Sequence, residues 1–415
     1  MILRARIVLP ITRPPIEDAA VAVSRGRLVA VGRWKEVAAH MDGPVTDLGD
    51  VVLLPGLINP HCHLDYTDMA GLLPPMRSFS DWIKAITALK GSWSDAEFAR
   101  SWRNGADMLL RTGTTTVGDI EAVPNLLPDV WQHTPLRVCS FLEMTGVKSR
   151  RQPRWILDEA LAKARATRHR RSRVWLSPHA PYSTTPELLR LSTRAARRRH
   201  WPLTTHVAES EEEFRMFTEG RGPMFDWLKR NERDMSDCGA GSPVQHLERL
   251  GCLGPHLLAI HLNYLAPGDA ALLARRGVHV VHCPRSHAYF RHEAFPHEEL
   301  MRERVNLCLG TDSLATVLKR RKERVELNFF AEMQALAAEV PGLWPNTLLR
   351  MVTVNAATAL GLQGRAGELG PGAWADLIAI PFAGPARHVH EAVLHNPASV
   401  MASMIGGRWA IPPGR

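Results

Sequence analysis

The chain predicts an α/β fold: a (β/α)8 barrel of the TIM type, with a small β-sandwich formed by the N- and C-terminal segments. Three observations lead there. Eight short apolar runs alternate with helical patterns through the middle of the 415 residues, the arithmetic of such a barrel. Both chain ends are instead turn-rich and β-patterned. Four of the runs end on residues able to hold or serve a metal ion, where the loops of a barrel build its site.

Residues 20–23 and 26–32 read as short strands broken by glycine and polar residues, which suggests an antiparallel sheet. The run 51–58 leads to His61, and further strands are expected at 114–117, 136–141, 173–176, 203–205, 257–260, 278–281 and 305–309. Helical patterns such as 187–191 and 268–274 lie between them. The turn-rich stretch 365–372 marks the return to a β-patterned end, at 375–380 and 400–407. The expected division is 1–55 for the first part of the sandwich, 56–367 for the barrel and 368–415 for the second part.

Composition narrows the class. The chain is 45% hydrophobic, enough for a large core, and no apolar run approaches the ~20 residues of a membrane span. Arginines interrupt the first ten residues, unlike a cleaved leader. Six cysteines without close pairing suit reduced thiols in a cytoplasmic protein. The net charge of +9 concentrates at Arg165, Arg168, Arg170, Arg171 and Arg173, and at Arg194, Arg197, Arg198 and Arg199. Both groups are expected on helices with a solvated outer face. Nucleic-acid binding is not expected, because no reader motif accompanies them.

The chemistry lies in short motifs. His61 and His63 alternate on an extended segment and so share a face. Among 19 histidines such a pair is weak by itself; its place at the end of a buried run makes it a metal pair. His206 and Glu209 form His-x-x-Glu at another strand end, with Glu209 in the loop, within reach of a substrate. Glu211, Glu212 and Glu213 instead suit the start of a helix. Asp312 follows an apolar strand, where a carboxylate is costly unless it meets a cation or ion-pair partner; an N-cap role is the alternative. His261 is read as polarising water or supporting the ligands. His179, between two prolines, is placed to orient substrate, and His282 is read as either packing or lining the site. Zinc-protease helix, paired-cysteine deaminase, P-loop and nucleophile-elbow patterns are absent.

These motifs, from residues 54–63 to 355–361 and 375–377, resemble the amidohydrolase superfamily, in its branch of S-adenosylhomocysteine, methylthioadenosine and guanine deaminases with related chlorohydrolases. The resemblance implies one divalent metal ion, Zn2+ or else Fe2+, held by His61, His63, His206 and Asp312. It implies Glu209 as proton shuttle, His261 as the histidine that positions water, and His179 and Trp82 as substrate contacts. It further implies a small-molecule substrate, no membrane or nucleic-acid partner, and a homodimer. The activity expected is hydrolytic deamination of an aromatic amine on a purine-like or nucleoside-like molecule, adenosine-type or aminodeoxyfutalosine. A chlorohydrolase or cyclic-amide hydrolase on the same site is the first alternative, and a non-catalytic barrel the second. His287 stands where many adenosine-type relatives carry Asn, and the acidic residue that grips ribose in them has no obvious match after Trp82.

Overall fold

Eight parallel strands pair in sequence order: Leu57–Cys62, Thr114–Glu121, Arg137–Met144, Arg173–Pro178, Leu203–Val207, Leu257–His261, His279–His282 and Asn306–Leu309. The structure is a computed structural model, and it describes all residues except 77, 148–151, 168, 398 and 415. The strands are buried along nearly their whole length. Helices cover a parallel sheet on its outer face, so its strands are buried on both faces, threonine-rich ones such as Thr114–Glu121 and Leu203–Val207 included.

The barrel closes between its last and first strands through the residues just beyond Leu309. The Thr311 amide donates to the His61 carbonyl at 3.1 Å and the His63 amide to the Asp312 carbonyl at 3.4 Å. Gly310 permits this approach, because a Cβ there would lie 3.0 Å from both the His61 Cβ and its carbonyl oxygen. Closure and the metal motifs therefore occupy the same place.

The run 51–58 is two strands, not one. Val51–Pro55 pairs antiparallel with Leu377–Pro381, whereas Leu57 onward enters the barrel. The break falls at Gly56, where a Cβ would lie 2.2 Å from the Thr115 side chain.

Strands from the two chain ends form a second eight-stranded sheet. It is mixed, which corrects the antiparallel expectation: Ile2–Val8 pairs antiparallel with Ile16–Ser24 but parallel with Val45–Asp47 and Val51–Pro55. Leu3, Val21, Leu53, Leu377 and Met404 share one core, so burial of apolar area joins the two termini.

The arginine groups divide. Arg194, Arg197, Arg198 and Arg199 lie on the helix Pro186–Arg199. Arg165 ends the helix Pro153–Ala166, but Arg170 and Arg171 follow in irregular backbone and Arg173 opens a strand. The helix stops because Thr167 turns extended (φ −88°, ψ 106°). Arg168 lies outside the described residues. All six cysteines are free. Among the described residues no helix is long and apolar enough to cross a membrane.

Candidate metal centre and substrate pocket

His61, His63 and His206 bring one ring nitrogen each to within 4.8 Å of one another, the only such trio among the described residues. Their donor state fits a cation. Both His61 ring nitrogens and His63 Nδ1 are buried without a hydrogen-bond partner. Unpaired buried polar atoms are costly, and three together mark a site built for something that accepts lone pairs. The His206 Nδ1–H donates to the His179 carbonyl at 2.7 Å, leaving Nε2 free to face the trio. A backbone acceptor of this kind fixes the tautomer of a metal-binding imidazole.

Asp312 stands beside them, with Oδ1 3.6 Å from His61 Nε2 and 3.7 Å from His63 Nε2. Its other oxygen accepts from the Thr316 hydroxyl at 2.9 Å. The N-cap reading fails: the short 3-10 turn Leu314–Thr316 begins after Ser313, and Asp312 itself is left-handed at φ 51°. Glu209 and His261 face each other across the same mouth at 3.5 Å. Ala208, His261 and Leu262 are also left-handed, with φ 48°, 72° and 48°. Such positions cost about 1–3 kcal/mol each for residues other than glycine and gather where side chains must be aimed.

Burial sets the electrostatics. It pushes the His63 pKa down to about 3, with His61 adding to the shift, lowers His261 to about 3, and holds His206 well below its ordinary value. Burial also acts to raise Asp312, yet the His61 ring 3.6 Å away, and then His261 and His63, hold it well below the carboxylate range. Glu209 goes the other way, raised well above its ordinary value by burial and then by Asp312. The site thus disfavours charge on His63, His206 and His261 while favouring it on Asp312 over Glu209. With burial disfavouring charge on His63, its contact to Asp312 is not an ion pair, and the donors suit a positive ion between them.

A cavity of about 440 Å³ opens from this centre. Trp82, Ile83 and Ile86 of the helix Phe79–Ser92 line it, together with Trp227 and Leu228. His179 lines it too, its Nδ1 bonded to the Ser183 hydroxyl at 2.5 Å. His282 does not: it is fully buried, stacked on Phe295 with ring centres 3.7 Å apart.

Several contributors escaped the motif reading. Glu143, at the end of the third strand, lies 3.6 Å from Lys90 Nζ and 3.8 Å from His179 Nε2, facing the cavity. Burial opposes its charge, but Lys90, His179 and His63 hold its pKa down to about 2. Asn59 spans the closure, donating to the Thr311 hydroxyl at 2.7 Å and accepting from the amides of Thr311 and His61 at 3.3 Å. Asn263 donates to the Glu209 carbonyl at 2.8 Å, and Glu213 accepts from the Glu209 amide at 2.9 Å. Only apolar runs and His/Asp/Glu spacing were available as signals, and neither points to an asparagine.

Comparison with known proteins agrees with this geometry. The profile described as amidohydrolase family matches residues 52–409. A protein from Syntrophobacter fumaroxidans named 5-methylthioadenosine/S-adenosylhomocysteine deaminase is 31% identical over 92% of the chain and 83% of its own length. An aminodeoxyfutalosine deaminase from Deinococcus radiodurans is 28% identical over 82% of each. Among solved structures, a zinc-bound adenosine deaminase from Xanthomonas campestris superposes with a TM-score of 0.85 at 24% identity, covering 99% of this chain and 92% of that one. Helicobacter pylori aminofutalosine deaminase with methylthio-coformycin gives 0.87 at 20% identity, covering 99% and 100%. The chain, with its imidazole trio and aspartate at the barrel mouth, belongs to the amidohydrolase family.

Proposed function

We propose that this protein is a zinc-dependent hydrolase that deaminates a purine-like or nucleoside-like small molecule and releases ammonia. The observation that carries the reading is a single pocket where Glu209, its carboxyl pushed towards the protonated form by burial, His261 and Asp312 meet beside His61, His63 and His206. Relatives named 5-methylthioadenosine/S-adenosylhomocysteine deaminase, 5'-deoxyadenosine deaminase and aminodeoxyfutalosine deaminase support the substrate class.

The family is metal-dependent, and a divalent ion held by His61, His63, His206 and Asp312 supplies Lewis acidity that makes water nucleophilic near neutral pH. The protein's own groups handle the protons. Glu209 gives its proton to the ring nitrogen beside the amino-bearing carbon, which makes that carbon electrophilic. Asp312 takes a proton from the attacking water. His261, 3.5 Å from Glu209, stabilises the charge that develops on the added oxygen. A C–O bond forms, Asp312 passes the proton it took to the amino group, and the C–N bond breaks to release ammonia. The ring nitrogen keeps the proton from Glu209, which is reprotonated by the added hydroxyl as that becomes the carbonyl.

Trp82, Ile86 and Trp227 supply apolar lining for an aromatic ring. Glu143 carries both carboxylate oxygens outside hydrogen-bond distance of Lys90 and His179, so their acceptor capacity remains for hydroxyl or amine groups of the ligand. The six free thiols suit a reducing compartment, in keeping with a cytoplasmic location.

The test is ammonia release from a panel of aminated purines and nucleosides by zinc-loaded protein, with chloride release from chlorinated analogues measured in parallel. Ammonia from at least one amine supports the reading; chloride alone refutes deamination. Glu209→Gln should retain metal and lose about 10²–10⁴-fold in rate, whereas His61→Ala should lose both. Near-normal turnover in Glu209→Gln removes Glu209 from the mechanism.

A further inference from the structure

Six arginines converge where the sandwich meets the bottom of the barrel. Arg25, Arg27, Arg137, Arg170, Arg171 and Arg408 line one concavity of about 420 Å³, together with His169 and Trp374. Arg137 opens the third barrel strand, and Arg170 and Arg171 precede the fourth. The concavity therefore lies at the strand starts, opposite the metal centre.

Its floor is closely built. The Gly26 and Gly406–Gly407 turns press together: a Cβ on Gly26 would lie 2.8 Å from the Gly406 carbonyl oxygen, and one on Gly407 3.0 Å from the Gly26 Cα. Arg137 lies over the Trp374 ring at 3.9 Å and binds Asp376 through Nε at 2.6 Å and Nη2 at 3.1 Å. The same carboxylate accepts from the Gly406 amide at 2.7 Å. Asp376 is thus fully engaged by Arg137 and the backbone.

The charge around that floor is unbalanced. Elsewhere arginines find carboxylates, as Arg4 does with Asp18 and Arg285 with Glu332. Arg25, Arg170, Arg171 and Arg408 have no such partner among the described residues. Partial burial lowers the Arg171 pKa, and repulsion from Arg137, Arg408 and Arg170 adds to it. Guanidinium groups gathered against their mutual repulsion around a rigid hollow are arranged for an anion of more than one charge. Their planar donor forks match phosphoryl oxygens. The hollow suits a compact ligand rather than an extended polymer.

We infer that this concavity is a binding site for an oligophosphate, either free or as the tail of a nucleotide, separate from the deaminase pocket. The metal-loaded full chain is titrated calorimetrically with sodium tripolyphosphate and with ATP, at ionic strength fixed by sodium chloride. Melting temperature is followed alongside. The expected result is saturable binding of tripolyphosphate that raises the melting temperature. In the double variant R170A/R408A affinity should fall at least about tenfold. Those two side chains are exposed, so the unliganded variant should keep its fold and metal content. Arg171→Ala provides a second, single-site loss.

ATP binding as tightly as tripolyphosphate supports a site that reads the phosphate chain alone, and tighter ATP binding supports a nucleotide source. Stripping of zinc from the barrel mouth would persist in R170A/R408A, so an unchanged signal in that variant overturns the site. So does the absence of saturable binding. Tighter binding of duplex DNA than of tripolyphosphate, lost in the same variant, replaces the pocket by a nucleic-acid surface.

Discussion

Glu209 is held at three points. Glu213 accepts from its amide, Asn263 donates to its carbonyl, and His261 faces its carboxyl. Glu213, which the acidic run assigns to a helix start, does begin the helix Glu211–Glu219, but it is also fully buried. Burial pushes its pKa up to about 8 from an ordinary 4.5. A carboxyl with a raised folded pKa stabilises the fold below its unfolded value, and that contribution is lost as pH rises through the folded value. Between pH 5 and pH 9, on either side of that pKa of about 8, the melting temperature should fall. Glu213→Gln should flatten that fall, and an equally steep profile in the variant would refute this source. Glu143→Gln tests the pocket's second carboxylate. It weakens an acceptor for ligand hydrogen bonds, so KM should rise about tenfold or more with metal content unchanged. An unaltered KM would place Glu143 outside ligand recognition.

Asn59 and Gly310 show why elements matter beyond their residues. The first and last strands meet only through the loop after Leu309, and Asn59 bonds Thr311 across 252 positions of chain. This clamp sets the spacing between His61 and Asp312. Asn59→Ala should leave the fold intact and weaken zinc about 10–100-fold, the usual scale for a group that supports metal ligands. Competition with a chromophoric chelator measures it, and unchanged affinity would show that the closure holds without Asn59. Strands such as Leu257–His261 were legible as short apolar runs, and Thr114–Glu121 as a β-branched run. The split at Gly56 was not legible: hydrophobicity continues through 51–58, and only the crowding of Thr115 shows why the chain changes sheets there. The helical placement of Arg170 and Arg171 failed for a related reason, since a run of arginines reads alike on a helix and on the irregular chain beyond it.

At the scale of the whole molecule, the barrel gathers residues from positions 61 to 312 into one mouth, and the sandwich unites the chain ends beneath it. His61, His63, His206, Glu209, His261 and Asp312 stand out in the sequence as candidate groups at strand ends, and the structure brings them to one mouth. Glu143, Asn59 and Asn263 were not, because their importance rests on partners distant in sequence. Metal and fold should be linked, since an ion bound only by the folded chain stabilises it by mass action. A crystal structure of zinc-loaded protein, with the ion located by anomalous scattering, tests the centre most directly. It should show one ion at about 2.0–2.2 Å from His61, His63, His206 and Asp312. An ion held by other residues, or those four side chains turned away from it, would contradict the account.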